Sequence, residues 1–281
     1  MKRDTLNNDL ARGLADYVEI LQMSGISDIS LAVSEELQRW NNHRHRDRET
    51  AGIEEENMAK RTEKPASPSQ ADNMAIDLAP KNQVSDQTDR SEALRQLAAN
   101  VVKCKKCAEL VGNRTQTVFG VGSPFAELVF LGEAPGADED KQGVPFVGRA
   151  GKLLTDMIEK GMQLQRDDVY ICNILRCRPP GNRNPSFEEA VKCRPFLDAT
   201  LQVIQPKYIC CLGAVAATNL LDSQESIGKM WGRVLDYNGI KVVCTYHPAY
   251  LLRNPSAKTA AWEDLKLLMR EMGLTVPKKG N

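Results

Sequence analysis

The chain has 281 residues, enough for one large domain or a domain with an appendage. Hydrophobic residues make up 42% and charged residues 26%, an ordinary globular balance, and no run of about 18 apolar residues is present to span a membrane. The formal net charge of zero is unevenly spread: residues 1–100 hold 13 Lys+Arg against 18 Asp+Glu, and residues 101–281 hold 24 against 19, a basic part behind an acidic leader that hints at a polyanionic partner.

The N-terminal MKRDTLNNDLARG has no apolar stretch behind its charges and does not read as a secretory signal, so the expected address is cytoplasmic. Leu6, Leu10, Leu14, Tyr17, Val18 and Leu21 recur near a period of 3.6 and predict an amphipathic helix, with a second over 30–40. From 41 to 90 the periodicity vanishes into polar, charge-mixed sequence poor in aromatics, which predicts a disordered linker. The expected organisation is therefore an N-terminal helical segment (1–40), a linker (41–90), a folded domain (91–275) and a short tail (276–281). Ser91 is a candidate N-cap for the helix in SEALRQLAANVV. Apolar strand-like runs at 128–131, 169–174, 208–212 and 242–245 then alternate with helical stretches at 149–161, 186–204, 213–221 and 256–272. That alternation predicts an α/β fold, a three-layer α/β/α sandwich around a central, mainly parallel four-stranded sheet. VLDYNGIKVV carries an Asn-Gly turn and predicts a local hairpin.

Every strand runs into a polar loop: Gly132-Glu133-Ala134-Pro135-Gly136, then Asn173, then Gly213, then Tyr246-His247-Pro248. Ligands of open α/β sheets bind outside the carboxyl ends of the strands, so Glu133, Asn173 and His247 are expected in one crevice. Phe146 stands alone in a Pro/Gly-rich loop beyond the first strand, offering either a flat face to a ligand or a plug for the core. Asp138, Glu139 and Asp140 form an acidic run nearby, a reserve of carboxylates or a solvated face.

Cys104 and Cys107 form a C-x2-C pair, with Cys177 and Cys193 following 16 residues apart. The spacing departs from paired C-x2-C zinc motifs and leaves three readings open: an iron–sulfur cluster, a zinc site with other ligands, or reduced core thiols. Lys105, Lys106, Arg176, Arg178, Lys192 and Arg194 flank these cysteines, where cations stabilise thiolates and could also face phosphates. Cys172, Cys210, Cys211 and Cys244 lie within apolar runs and read as core residues.

Taken together, GEAPGADEDKQGVPFVGRAG, CNILRCRPPGNRNP and HPAYLLRNP, with the four spaced cysteines, closely resemble family 4 uracil-DNA glycosylases, the iron–sulfur type, over about residues 91–275. The resemblance implies a [4Fe–4S] cluster on Cys104, Cys107, Cys177 and Cys193, and hydrolysis of the glycosidic bond of uracil in DNA by a monomer as the first step of base excision repair. It implies that Gly132, Glu133 and Ala134 form the water-activating loop, which also touches uracil. Phe146 would stack on the extruded base, Asn173 would read its Watson–Crick edge and His247 would face its O2. Leu251 would be the wedge that fills the vacated stack, with Arg253 beside it on DNA. The better-known uracil-DNA glycosylases carry an Asp where Ala134 stands, so Glu133 is the expected acid here.

The chemistry suits these residue types. Extruding a base costs a few kcal/mol, and an aromatic face returns roughly 1–3 kcal/mol. An Asn carboxamide matches uracil and leaves groups unpaired against cytosine, at roughly 1–3 kcal/mol each. Of three histidines only His247 lies outside the expected linker, and losing one donor at a developing negative charge costs about 3 kcal/mol. Two other readings are a non-catalytic iron–sulfur module that binds nucleic acid, and a relative that crosslinks to uracil-DNA through a His in the loop after Asn173. That loop holds no His here. A nucleotide-cofactor enzyme is disfavoured by the lack of G-x-G-x-x-G. The N-terminal helices would recruit a protein partner.

Overall fold

Two β-strands of this chain are buried along their whole length and a third at all but its first residue, which requires cover on both faces of the sheet. The computed structural model describes residues 86–222 and 227–277. The expected helices within 1–40, residues 41–85 of the linker and the last residues of the tail lie outside the described residues.

The order is α1 (Asp86–Lys103), α2 (Ala108–Asn113), β1 (Val121–Gly122), β2 (Leu128–Gly132), α3 (Ala137–Gln142), α4 (Arg149–Asp156), β3 (Tyr170–Asn173), α5 (Phe187–Ile204), β4 (Tyr208–Leu212), α6 (Ala214–Leu221), α7 (Ile227–Met230), β5 (Val234–Tyr237), β6 (Ile240–Thr245), α8 (Pro248–Arg253) and α9 (Lys258–Glu271). Among these elements no helix is long and apolar enough to cross a membrane. The sheet runs β1-β3-β2-β4-β6-β5. Its four central strands are mutually parallel and are the four read from the sequence. Two antiparallel edge strands extend it to six. β1 is only two residues long, too short to show a period, whereas β5 is the outer arm of the expected hairpin. That hairpin turns through Asn238 and Gly239, both at positive φ, as a two-residue turn matched to strand twist requires.

Alternation along the strands sorts the core. Leu128, Phe130, Ile171, Cys210, Leu212 and Val243 point to one face and pack with Leu154 and Ile158 and with Leu265, Leu268 and Met269 of α9. Val129, Leu131, Cys172, Ile209, Cys211, Val242 and Cys244 are equally buried, so the opposite face is covered too and the three layers are complete. Cys172, Cys210, Cys211 and Cys244 are thus core residues, as read from the sequence.

Two sequence expectations need correction. Ser91 is not an N-cap: α1 is already helical at Asp86, and Ser91 lies inside it. The folded domain correspondingly begins before residue 91, because Arg90 donates to Ile204 O (2.9 Å) and Gln205 Oε1 (2.7 Å) at the end of α5 and covers the Phe125 ring. This first turn is polar in sequence and shows no apolar period, so its order comes from tertiary docking. Arg194, expected beside phosphates, instead turns inward. It pairs with Asp198 (2.8 Å) and donates to Asn219 O (2.8 Å) and Tyr237 Oη (2.8 Å), tying α5 to α6 and β5.

Asp198 is 6% exposed, so removing it strands a largely buried guanidinium. Asp198→Ala should lower the unfolding free energy by about 3–5 kcal/mol, read from urea denaturation, and an unchanged midpoint would contradict the role given to this pair.

Candidate active site

β2 and β3 end side by side, with Gly132 directly opposite Asn173. The pairing continues past the sheet: Ile174 N donates to Gly132 O (2.9 Å) and Leu175 N to Glu133 O (3.1 Å). A side chain at 132 has no room, since a Cβ there would lie 2.3 Å from Asn173 Oδ1 and 2.6 Å from Phe146 Cζ. The missing side chain therefore lets the carboxamide and the aromatic ring close in over the end of β2. Asn173 is 2% exposed, and its Oδ1 is buried without a hydrogen-bond partner among the described residues. Leaving such an acceptor unpaired costs about 1–3 kcal/mol, which a donor on a ligand would recover.

Phe146 has φ 54°, a left-handed conformation uncommon for an aromatic residue. Three neighbours hold it there. Glu139 accepts from Val147 N and Gly148 N (both 3.0 Å) and from Gly136 N (3.1 Å), fastening the loop to its start. Arg166 donates to Pro145 O and Phe146 O (both 3.1 Å). Gly151 lets α4 close in, because a Cβ there would meet Phe146 O at 1.8 Å. Phe146 is both core and pocket wall: it packs in the apolar core and also sits 5.6 Å from the His247 ring.

The acidic run is mostly spoken for. Glu139 is consumed by the loop, and Asp140, 2% exposed, accepts from Thr115 N through both oxygens (2.9 and 3.0 Å). Neither is a reserve for activating water.

His247 caps α8, its Nδ1 accepting from Ala249 N (3.1 Å). The ring proton therefore resides on Nε2. Burial, with help from the Arg253 cation and against Glu139, pushes its pKa down to about 4. The imidazole is thus neutral at physiological pH and presents one N–H. Gly213 (φ 93°) lets the end of β4 run beneath it, where a Cβ would come within 3.1 Å of the His247 Cβ. Glu133, the residue directly after β2, is half-buried, and desolvation raises its carboxyl above the usual 4.5.

The four spaced cysteines line one concavity with Arg114, Leu175, Arg176 and Lys192. Cys104 follows α1, Cys107 caps α2, Cys177 follows β3 and Cys193 lies on α5. The Ser186–Glu189 capping box and the Arg183–Glu189 pair (2.7 Å) set where α5 begins. Burial raises the thiols of Cys107, Cys177 and Cys193, the last to about 12, and the cysteines' mutual repulsion adds to the rise. Arg114 opposes it at Cys177, donating to Sγ (3.0 Å), and its other nitrogen holds Cys104 O (2.9 Å). Arg176 is 1% exposed, so it does not face phosphates as one sequence reading had it. It donates to Phe119 O and Thr200 Oγ1, forms no ion pair with a carboxylate among the described residues, and leaves Nε unpartnered. Also among the described residues, no three His, Cys, Asp or Glu side chains are grouped so as to hold a metal ion.

Leu251 requires a correction: it is 2% exposed, on the inward face of α8, and is not free to enter a base stack. Helix geometry carries it there, since Leu251 lies three residues after buried Pro248 and shares its face. Arg253, at the end of α8, is exposed. Arg114, Arg166 and Gly151 were not singled out from the sequence. Each works through backbone atoms or a sulfur distant in the chain, and no local pattern marks such a role.

Residues 119–266 match the family model of the Uracil DNA glycosylase superfamily. A type-4 uracil-DNA glycosylase of Thermotoga maritima is 46% identical over 169 residues, 59% of this chain and 87% of that protein. Type-4 enzymes of Sulfurisphaera tokodaii (42% identical; 67% of this chain, 88% of that protein) and Archaeoglobus fulgidus (42%; 66% and 96%) are similar over nearly the same span.

Gly151→Ala should destabilise the protein by about 1–3 kcal/mol through the Phe146 carbonyl, read as a lower denaturation midpoint. The sign is diagnostic, because helix propensity alone would stabilise the same change by about 1 kcal/mol.

Proposed function

This chain belongs to the uracil-DNA glycosylase superfamily, with type-4 enzymes among its relatives, and on that premise we propose that it hydrolyses the bond between uracil and deoxyribose in DNA and leaves an abasic site. The observation that carries this reading is the convergence of Gly132, Phe146, Asn173 and His247 at the strand ends.

An extruded uracil brought to these residues lies against Phe146. Asn173 Oδ1 takes the N3–H and its amide donates to O4, relieving the orphaned acceptor. Cytosine presents the opposite polarity at both positions. As the N1–C1′ bond breaks, its electron pair passes to the departing ring, and His247 Nε2–H donates to the charge gathering on O2. A neutral donor suits this task, because a full cation there would carry a larger burial cost. Water adds its oxygen to the cationic C1′ and gives a proton to Glu133, whose carboxylate also faces the sugar's positive charge.

Cys104, Cys107, Cys177 and Cys193 would hold a [4Fe–4S] cluster. The residues present fit that group. Arg176 is a buried cation without a carboxylate, and the anionic field of a thiolate-ligated cluster is the partner its burial calls for. A lone zinc ion needs its donors about 2.3 Å from one point, whereas a four-iron cluster takes each thiolate at a separate iron. When bound, the group supplies a rigid cross-link rather than a reacting atom. Leu175 leads from Asn173 to Cys177, so that cross-link braces the pocket floor.

The substrate is uracil-containing DNA, met with Arg253, and the protein acts as a monomer in the cytoplasm. Residues 1–85 serve as an extension that engages a protein partner, and removing them should leave uracil release from a short oligonucleotide intact.

Purified protein should be brown, carry about four irons per chain, and release uracil from an oligonucleotide. His247→Ala should lower the single-turnover rate about 100-fold or more, and a full rate would refute the donor role. The pH profile separates the two groups. Activity requires ionised Glu133, so the rate should rise with pH through a midpoint above the usual 4.5 and then level off. His247, with its pKa near 4, is neutral at the plateau and over the upper part of that rise. His247→Asn should therefore lower the plateau without moving the limb, and Glu133→Gln should abolish the limb.

A further inference from the structure

Trp231, Tyr246 and Tyr250 form a continuous ladder. The first two rings stack at 4.2 Å with 30° between planes, and the last two at 5.3 Å with 14°. Trp231 is anchored to the sheet by a bridge to Cys244, and Tyr246 follows β6 directly. Tyr250 rises from the first turn of α8 and is 41% exposed, among the few large hydrophobic side chains left open to solvent. Its hydroxyl takes no hydrogen-bond partner among the described residues, so the ring is held by stacking alone. Tyr246 and Tyr250 flank His247 in the chain, one before it and one three after it. Leu251 and Pro248, their apolar neighbours on the same helix, are turned into the core.

A row of stacked rings ending in an exposed one presents a π-face to a base, and such a face accepts any base. Extruding one nucleotide leaves its neighbours without a stacking partner on one side. The extruded nucleotide stays joined to its neighbours through the backbone, so a side chain three residues from His247 stands beside the strand on which a neighbouring base remains. Resting on the proposed glycosylase reading, we propose that the ladder of Trp231, Tyr246 and Tyr250 is a stacking platform for a nucleobase adjacent to the extruded uracil, with Tyr250 as the ring that meets it. Exposed Arg253, one turn further on, stands on the same segment for the adjoining phosphate. The site takes DNA of any sequence around the uracil, because stacking reads no edge pattern.

The test compares full-length wild type, Tyr250→Ala and Tyr250→Phe in single-turnover excision from uracil duplexes. Further substrates replace the base on either side of the uracil with a stable abasic spacer. Tyr250→Ala should lower kcat/KM about tenfold, and Tyr250→Phe, which keeps the ring, should stay within about twofold of wild type. On the spacer substrate lacking the stacked base, wild type should fall to the variant's level and Tyr250→Ala should cause no further loss. Wild-type activity in Tyr250→Ala, or a tenfold defect that persists on both spacer substrates, would overturn the platform while leaving uracil excision standing. A wild-type protein that releases no uracil would instead remove the reading on which the platform rests. Unchanged thermal midpoints for both variants, expected at this exposed position, show that the rates report on the ring.

Discussion

Two backbone hydrogen bonds just beyond the sheet, from Ile174 N to Gly132 O and from Leu175 N to Glu133 O, govern the rest of the site. They carry the β2–β3 pairing out of regular strand into loop. On one side they fix Gly132 opposite Asn173, where the carboxamide and the Phe146 ring both approach the bare glycine. On the other they lead within two residues to Cys177 and the concavity of four cysteines. Leu175 and Cys177 pack with Leu110, and Ala134, Cys107 and Cys193 close around them. The pocket floor and the cysteine centre are thus two ends of one strand exit, and a shift of register by one residue would dismantle both.

The pocket is built from groups held in costly states by their surroundings. Phe146 keeps a left-handed backbone because Glu139, Arg166 and the bare Gly151 leave it no alternative. Asn173 Oδ1 stays unpaired among the described residues, and His247 stays neutral because burial and Arg253 disfavour its cation. Each cost is modest, about 1–3 kcal/mol by general estimate, and is carried by the packed sheet below. A site assembled this way needs little rearrangement to meet a transition state, which is how fixed donors gain their effect.

The four central strands were legible in the sequence because each is a short apolar run closed by a polar exit, and burial on both faces leaves no alternation to mislead. The Asn-Gly hairpin was legible from the two residues that tolerate its turn. Glu133, Asn173 and His247 were legible as polar residues at strand ends, and Phe146 is the ring that lies against both Gly132, beside Asn173, and His247. Three features were not. The docked first turn of α1 has no apolar period, so Arg90 gave no signal. Leu251 looked like a wedge by its distance from His247, but the turn of α8 directs it inward and leaves Tyr250 outside. Arg176 and Arg194 read as surface cations, yet both are drawn inside by partners remote in sequence. Charge can be counted along a chain, but its direction is set by packing.

The central claim is spatial: remote strand ends form one slot complementary to uracil. A crystal structure of the protein with free uracil tests it most directly. The account predicts the ring lying against Phe146, with N3 and O4 within hydrogen-bond distance of the Asn173 carboxamide and O2 facing His247 Nε2. Uracil bound away from Gly132, or with its O2 turned from the imidazole, would contradict it.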